Sequence, residues 1–336
     1  MFLLIIYLPD FMWIGSIPHA FFQPPVLSLA NLGADFPNKY FLTGIDVSAL
    51  ASAVCLTVGI RARIATHIFV VLNLIGLSYQ YSFGKIDHSI LLYCLLGCMS
   101  FTNWGTRLCL VPDKARDSSY DNKALSLFAF LLCFAFFSSG FEKAIHWLNF
   151  DFSKSGTANW IYSGYYALDR RYLMASVSKS LPFAVLKCLD YCAVVFELSP
   201  LLMLLLSRRS WKIWLLAVCI FHLINTLFLN IPFIFNAIVY LVFCDFSFLY
   251  ESIAGVQLKK LSGIIPASAL VLIVSIRLMN IFSGTSSSNI FFPVLFIKAN
   301  LYLALLVWIA VLAVVIKAVL QNNPIADPPA GKRTFV

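Results

Sequence analysis

At the end of an apolar run that begins near Ala124, the sequence sets Glu142, Lys143, His146 and Trp147 close together. Ionisable groups inside a membrane span are costly, about 2.5–3.5 kcal/mol each at a helix centre, so they are paired, interfacial or functional. A lysine held against an apolar wall gives up its proton more readily, because burial disfavours the charged form. A neutral lysine is a usable general base. His88 opens an earlier apolar run, and its imidazole could hydrogen-bond a reacting oxygen beside such a base. Glu142 could hold the lysine instead, although adjacent helix positions do not face each other. Against this chemistry stands a plain interfacial belt, with Lys143 snorkelling to water beside Trp147 and His88 merely starting a helix.

Deeper in the apolar runs lie Asp190 and Glu197, seven apart and so on nearly one helix face, then His222 with Asn225, and Asn236. A buried Glu197–His222 pair would satisfy both groups and fix helix register. The same pair could relay protons or hold a polar atom of a ligand, but structural pairing is the simpler expectation. Arg277 and Lys298, near the ends of the last runs, fit snorkelling better than capture of an anionic substrate or headgroup. The nine cysteines are scattered through apolar stretches, where they act as small polarizable packing residues. No CxxC or Cys/His zinc spacing is present, so no metal site is expected. No GxSxG, HExxH, Walker or GxGxxG context appears, which removes serine hydrolase, zinc protease and nucleotide-driven readings.

The elements that must position these groups are membrane helices. Of 336 residues, 61% are hydrophobic and only 12% charged, against about 25% charged in a soluble domain. Mean hydropathy is +0.87. The fold class is therefore all-α, a polytopic transmembrane bundle whose main partner is the lipid bilayer. The net charge of +9 lies in short clusters between apolar runs, the pattern that orients membrane helices, and no nucleic-acid partner is implied.

Spanning takes about 20 apolar residues. Ten runs are candidates, giving about 8–10 spans: 1–19, 45–60, 64–83, 88–105, 124–147, 182–206, 212–230, 232–250, 264–282 and 290–319. The first carries Pro9 and Asp10 and is the weakest. It also lacks a basic region and a small-residue cleavage site, so a retained N-terminus is expected. The Gly84–Asp87 link forces a helical hairpin, and Asn230-Ile231-Pro232 another. Basic loops at Arg61/Arg63, Arg107–Lys123, Arg208–Lys212, Lys259/Lys260 and Lys332/Arg333 follow the even-numbered runs. They predict a cytoplasmic side that holds both termini. His88 and the Lys143 cluster then fall at similar depth near the outer face. Residues 149–181 are too polar to span and too aromatic for an ordinary loop. They are predicted to form a partly helical interfacial cap, and residues 321–336 a short polar tail.

Several short elements together resemble the HTTM domain, the membrane domain shared with vitamin K-dependent gamma-glutamyl carboxylase. They are Leu56-Thr57-Val58-Gly59-Ile60-Arg61-Ala62-Arg63, Gly84–Ser89, Ser139-Gly140-Phe141-Glu142-Lys143 with Trp147, Glu197, and Phe221-His222. The resemblance covers about residues 1–250, leaving 251–320 as two additional helices. It implies that Lys143 is a base deprotonating a lipophilic hydroquinone and that His88 stabilises an oxygenated intermediate. A quinone or quinol is then the implied cofactor class, and the bacterial inner membrane the implied location. Glu142 departs from the second lysine found there, and the region after the spans lacks the large lumenal domain that binds peptide. A modifying enzyme of carboxylase-like or quinol-oxygenase-like type is thus expected rather than a complete glutamate carboxylase. The contrasting expectation is a non-catalytic factor of the sporulation-delaying-protein B type, which would help mature or export a secreted peptide.

Overall fold

Helix starts and stops follow local chemistry. In a computed structural model that describes residues 4, 8–26, 28–83, 88–106, 109–244, 264–283 and 297–320, Asn38 begins the first helix by accepting the Phe41 amide. That helix, α1 (Lys39–Val58), ends at Gly59, whose positive φ of 71° lets the Ile60 amide turn back to the Cys55 carbonyl. The short turn leads directly into α2 (Ala62–Gln80).

Ten further helices follow: α3 (Ile90–Met99), α4 (Ser119–Trp147), α5 (Gly156–Tyr162), α6 (Ala175–Lys179), α7 (Phe183–Leu198), α8 (Pro200–Leu206), α9 (Arg208–Leu229), α10 (Asn236–Leu241), α11 (Ile264–Ser283) and α12 (Ile297–Leu320). Among the described residues there is no strand, only an isolated bridge between Ile60 and Val111. The all-α expectation is met. Among the described residues, five helices (α1, α2, α4, α9 and α12) are long and apolar enough to cross a membrane. The α7–α8 pair makes a sixth span if its 46° bend is counted as one crossing.

The chain divides into two compact units, residues 1–125 with 246–295, and residues 126–245 with 296–336. In the first, α1, α2 and α3 pack around Leu42, Ile45, Phe69, Leu77 and Tyr93, joined by Phe11 and Ile14 from the N-terminal segment. The expected span at 1–19 is helical at Leu4 but not from Leu8 onward. Residues 8–19 run irregularly with a 3-10 turn at Met12–Ser16, and the buried Asp46 carboxylate accepts the amides of Phe11 and Met12. Pro9 interrupts a helix here, and the Asp46 carboxylate accepts the two amides that would otherwise bond to helix carbonyls. Arg277 of α11, buried rather than snorkelling, donates to the Leu4 carbonyl.

The expected span at 88–105 is also shorter. The helix stops at Met99 because the Ser100 and Thr102 hydroxyls turn back onto the Gly97 and Met99 carbonyls. The hairpin link at Gly84–Asp87, the start of the additional C-terminal region at 251–263 and the tail at 321–336 lie outside the described residues.

In the second unit α9 packs along α12, with Trp308 donating to the Pro232 carbonyl. The expected span at 232–250 is, where described, a helix of only six residues, Asn236–Leu241. Phe233 before it has a left-handed φ of 43°. Residues 149–181 are partly helical, as expected, with α5, one π turn and α6.

Candidate functional site

Gly140, Lys143 and Trp147 recur at helical spacing and so share one face of α4. That face meets α7 at Glu197. A Cβ on Gly140 would lie 2.9 Å from the Glu197 Cβ and 3.1 Å from its carbonyl carbon, so the helices approach this closely only because residue 140 has no side chain. The approach brings the Lys143 ammonium into a direct ion pair with Glu197 Oε1. The lysine side chain is 23% exposed and the glutamate 5%. The other carboxylate oxygen, Oε2, is buried and has no hydrogen-bond partner among the described residues. The Lys143 Nζ also lies 5.4 Å from the Trp147 ring centre, within cation–π range.

Gly140→Ala is expected to push α4 and α7 apart and cost about 1–3 kcal/mol as overpacking, read as a lower unfolding temperature of the purified chain. An unchanged unfolding temperature would mean that the contact is not tight.

A second cluster, built on the buried Lys187 and Asp190, holds the base of this arrangement. Lys187 donates to the carbonyls of Trp147 (3.1 Å) and Lys154 (2.9 Å) and to Asn149 Oδ1 (2.8 Å). One turn on, Asp190 accepts from Ser155 Oγ and from the amides of Gly156 and Thr157. The two charges lie 3.8 Å apart. Asp190 therefore caps the start of α5, while Lys187 satisfies a carbonyl at the open end of α4. Trp147 packs flat on Gly156, where a Cβ would come within 2.2 Å of its ring. The Lys187–Asp190 cluster thus positions Trp147, and through it the face that carries Lys143.

The buried stripe of α7 confirms that Asp190 and Glu197 share a face, with Lys187 and Val194 before and between them. The Glu197–His222 pair drawn from spacing is replaced by two others. Glu197 meets Lys143, and His222 Nε2 hydrogen-bonds the buried Tyr240 hydroxyl at 2.7 Å. His222 is also stacked on Trp308, with centroids 4.9 Å apart. What separates the two is aromatic: Phe221, beside His222, packs on Phe196, beside Glu197. Asn236 lies buried at the start of α10, one turn before Tyr240.

Glu142 is exposed on another face of α4 and enters no ion pair among the described residues, and His146 is exposed too. His88 belongs to the first unit, exposed in the turn before α3, and Lys143 belongs to the second. Lys298 sits on α12, with its side chain outside what is described.

Sequence reasoning passed over Lys187 and Tyr240, and took Gly140 only as part of the motif around Lys143. The i, i+3 spacing of Lys187 and Asp190 on an otherwise apolar helix was the available signal for the first. Just past Glu197, α7 breaks at Ser199, and Pro200 starts α8. Proline has no amide and clashes with the preceding turn, which accounts for the bend.

Helices of this length and apolarity, carrying buried ion pairs, define a multi-pass membrane protein. No family model, no curated protein and no solved structure matches the chain.

Proposed function

We propose that this chain is an HTTM-type membrane enzyme that modifies a lipophilic, quinol-like small molecule, with Lys143 as its base. On this reading the site faces the outer side of the bacterial cytoplasmic membrane, with both termini inside. The observation that carries it is the Lys143–Glu197 pair: a part-exposed ammonium set against a buried carboxylate that keeps one oxygen unpartnered among the described residues. Such a pair can exchange a proton internally. Glu197 takes a proton from the Lys143 ammonium, and the resulting amine takes one from a substrate hydroxyl. The charges then reside on the ammonium and the substrate oxygen, and the Trp147 ring face supports the ammonium.

A second reading has its own support. An ammonium matched one-to-one with a carboxylate is also what a helix clamp looks like, and a clamp suits a non-catalytic factor for maturation or export of a secreted peptide. Complementation of a deletion strain separates them, with the amount of protein in the membrane followed in parallel. Lys143→Ala is expected to lose more complementation than its fall in membrane level accounts for, and Lys143→Arg is expected not to restore it, because arginine is never deprotonated in a protein. Rescue by Lys143→Arg would leave charge as the sole requirement and sink the base.

A further inference from the structure

Between α4 and α7 the chain leaves one long apolar helix at Trp147 and starts the next at Phe183, so the cap lies at one membrane face. At its centre two cations converge on one aromatic ring. Lys179 Nζ lies 4.4 Å from the Tyr165 ring centre and 5.8 Å from that of Tyr166. The Arg171 guanidinium lies 5.4 Å from the Tyr165 ring, with Nε donating to the Tyr165 carbonyl at 3.2 Å.

Each cation–π contact at an exposed site contributes only about 0.5–1 kcal/mol, while the two like charges repel each other. Acidic side chains hardly offset this. Asp169 pairs with Arg171 at 3.1 Å but is itself 75% exposed, and exposed pairs are weak. Among the described residues no carboxylate comes within ion-pair distance of Lys179. The Tyr165 hydroxyl is held below its ordinary value first by a hydrogen bond to Ser176 and then by the charges of Lys179 and Arg171, so the local field is positive.

Around these cations the chain exposes Tyr166, Leu168, Met174 and Val177. Cations among exposed aromatic and aliphatic side chains match the level at which lipid headgroups meet acyl chains. We propose that Tyr165, Arg171 and Lys179 form a binding site for the phosphate of an anionic phospholipid headgroup, which anchors the cap to the bilayer. The exposed apolar rim favours a lipid over an acidic peptide, since a lipid supplies a negative charge and a hydrocarbon surface together.

The test uses the full chain purified in detergent with equimolar phosphatidylglycerol and phosphatidylcholine, and native mass spectrometry counts the lipids retained. The parent is expected to prefer phosphatidylglycerol, and Arg171→Gln and Lys179→Gln are each expected to lower that preference roughly fivefold. Lys179→Arg is expected to keep it, which separates lost charge from lost fold. Lys154→Gln, at an exposed cation paired with Asp151, is expected to leave it unchanged. Equal preference in Lys179→Gln and the parent would overturn the site. An equal loss in Lys154→Gln would reduce it to net charge, which also overturns it. A parent that captures a poly-glutamate peptide while showing no lipid preference would assign the cations to a peptide instead.

Discussion

Replacing Lys187 with alanine is expected to cost about 3–5 kcal/mol and to deplete the chain from the membrane. The side chain is 1% exposed and its partner Asp190 is 0% exposed, so neither charge can turn to water. Removing the ammonium leaves the Lys154 carbonyl and the Asn149 amide oxygen without their donor, and leaves the Trp147 carbonyl with the Asn149 amide alone. Each buried polar group so orphaned costs about 1–3 kcal/mol. Asp190 would keep its three donors from Ser155, Gly156 and Thr157 but lose the compensating charge. Lys187→Met fills the volume without the charge or the hydrogen bonds, so it is expected to recover only the packing share of the loss. Unfolding temperature in detergent and abundance in the membrane fraction both read the effect. A Lys187→Ala chain as stable and abundant as the parent would show that the cluster carries no structural weight.

What the sequence made legible depended on range. Helical periodicity is local, so a spacing of seven suffices to place Asp190 and Glu197 on one face of one helix, and the buried stripe of α7 agrees. Apolar length is local as well, and it located α1, α2, α4, α9 and α12. It failed where hydroxyls or prolines end a helix inside an apolar run, as at Ser100 and Thr102 and in the segment after Pro9. Hydropathy scales count such residues as mildly polar and do not register the carbonyls they take. Partner choice between helices is not local at all. Glu197 prefers Lys143 to His222 because Gly140 lets α4 come close, whereas Phe196 and Phe221 fill the space toward α9. Lys187 sits in the first turns of an apolar run, where a snorkelling lysine and a buried hub have the same neighbours in sequence.

The Lys143–Glu197 pair is expected to respond unevenly to losing either partner, and that asymmetry separates chemistry from clamping. Lys143→Ala leaves a carboxylate that is 5% exposed with neither oxygen partnered, the costlier case at about 3–5 kcal/mol. Glu197→Gln leaves an ammonium that is 23% exposed and still lies over Trp147, so it can lean toward water and should cost less. The double variant Lys143→Met with Glu197→Leu removes both charges and returns the contact to packing. Buried pairs replaced in this way are often neutral, or stabilising by about 1–4 kcal/mol, so its unfolding temperature is expected to return to that of the parent or exceed it. If the pair exchanges protons with a substrate, the restored fold brings back no function, and the double variant complements no better than Lys143→Ala. A clamp requires the opposite: complementation would return with stability, since a well-packed apolar contact holds α4 to α7 as firmly as the ions did. Measuring both quantities on the same three variants therefore decides whether this contact is there to hold the helices or to move a proton.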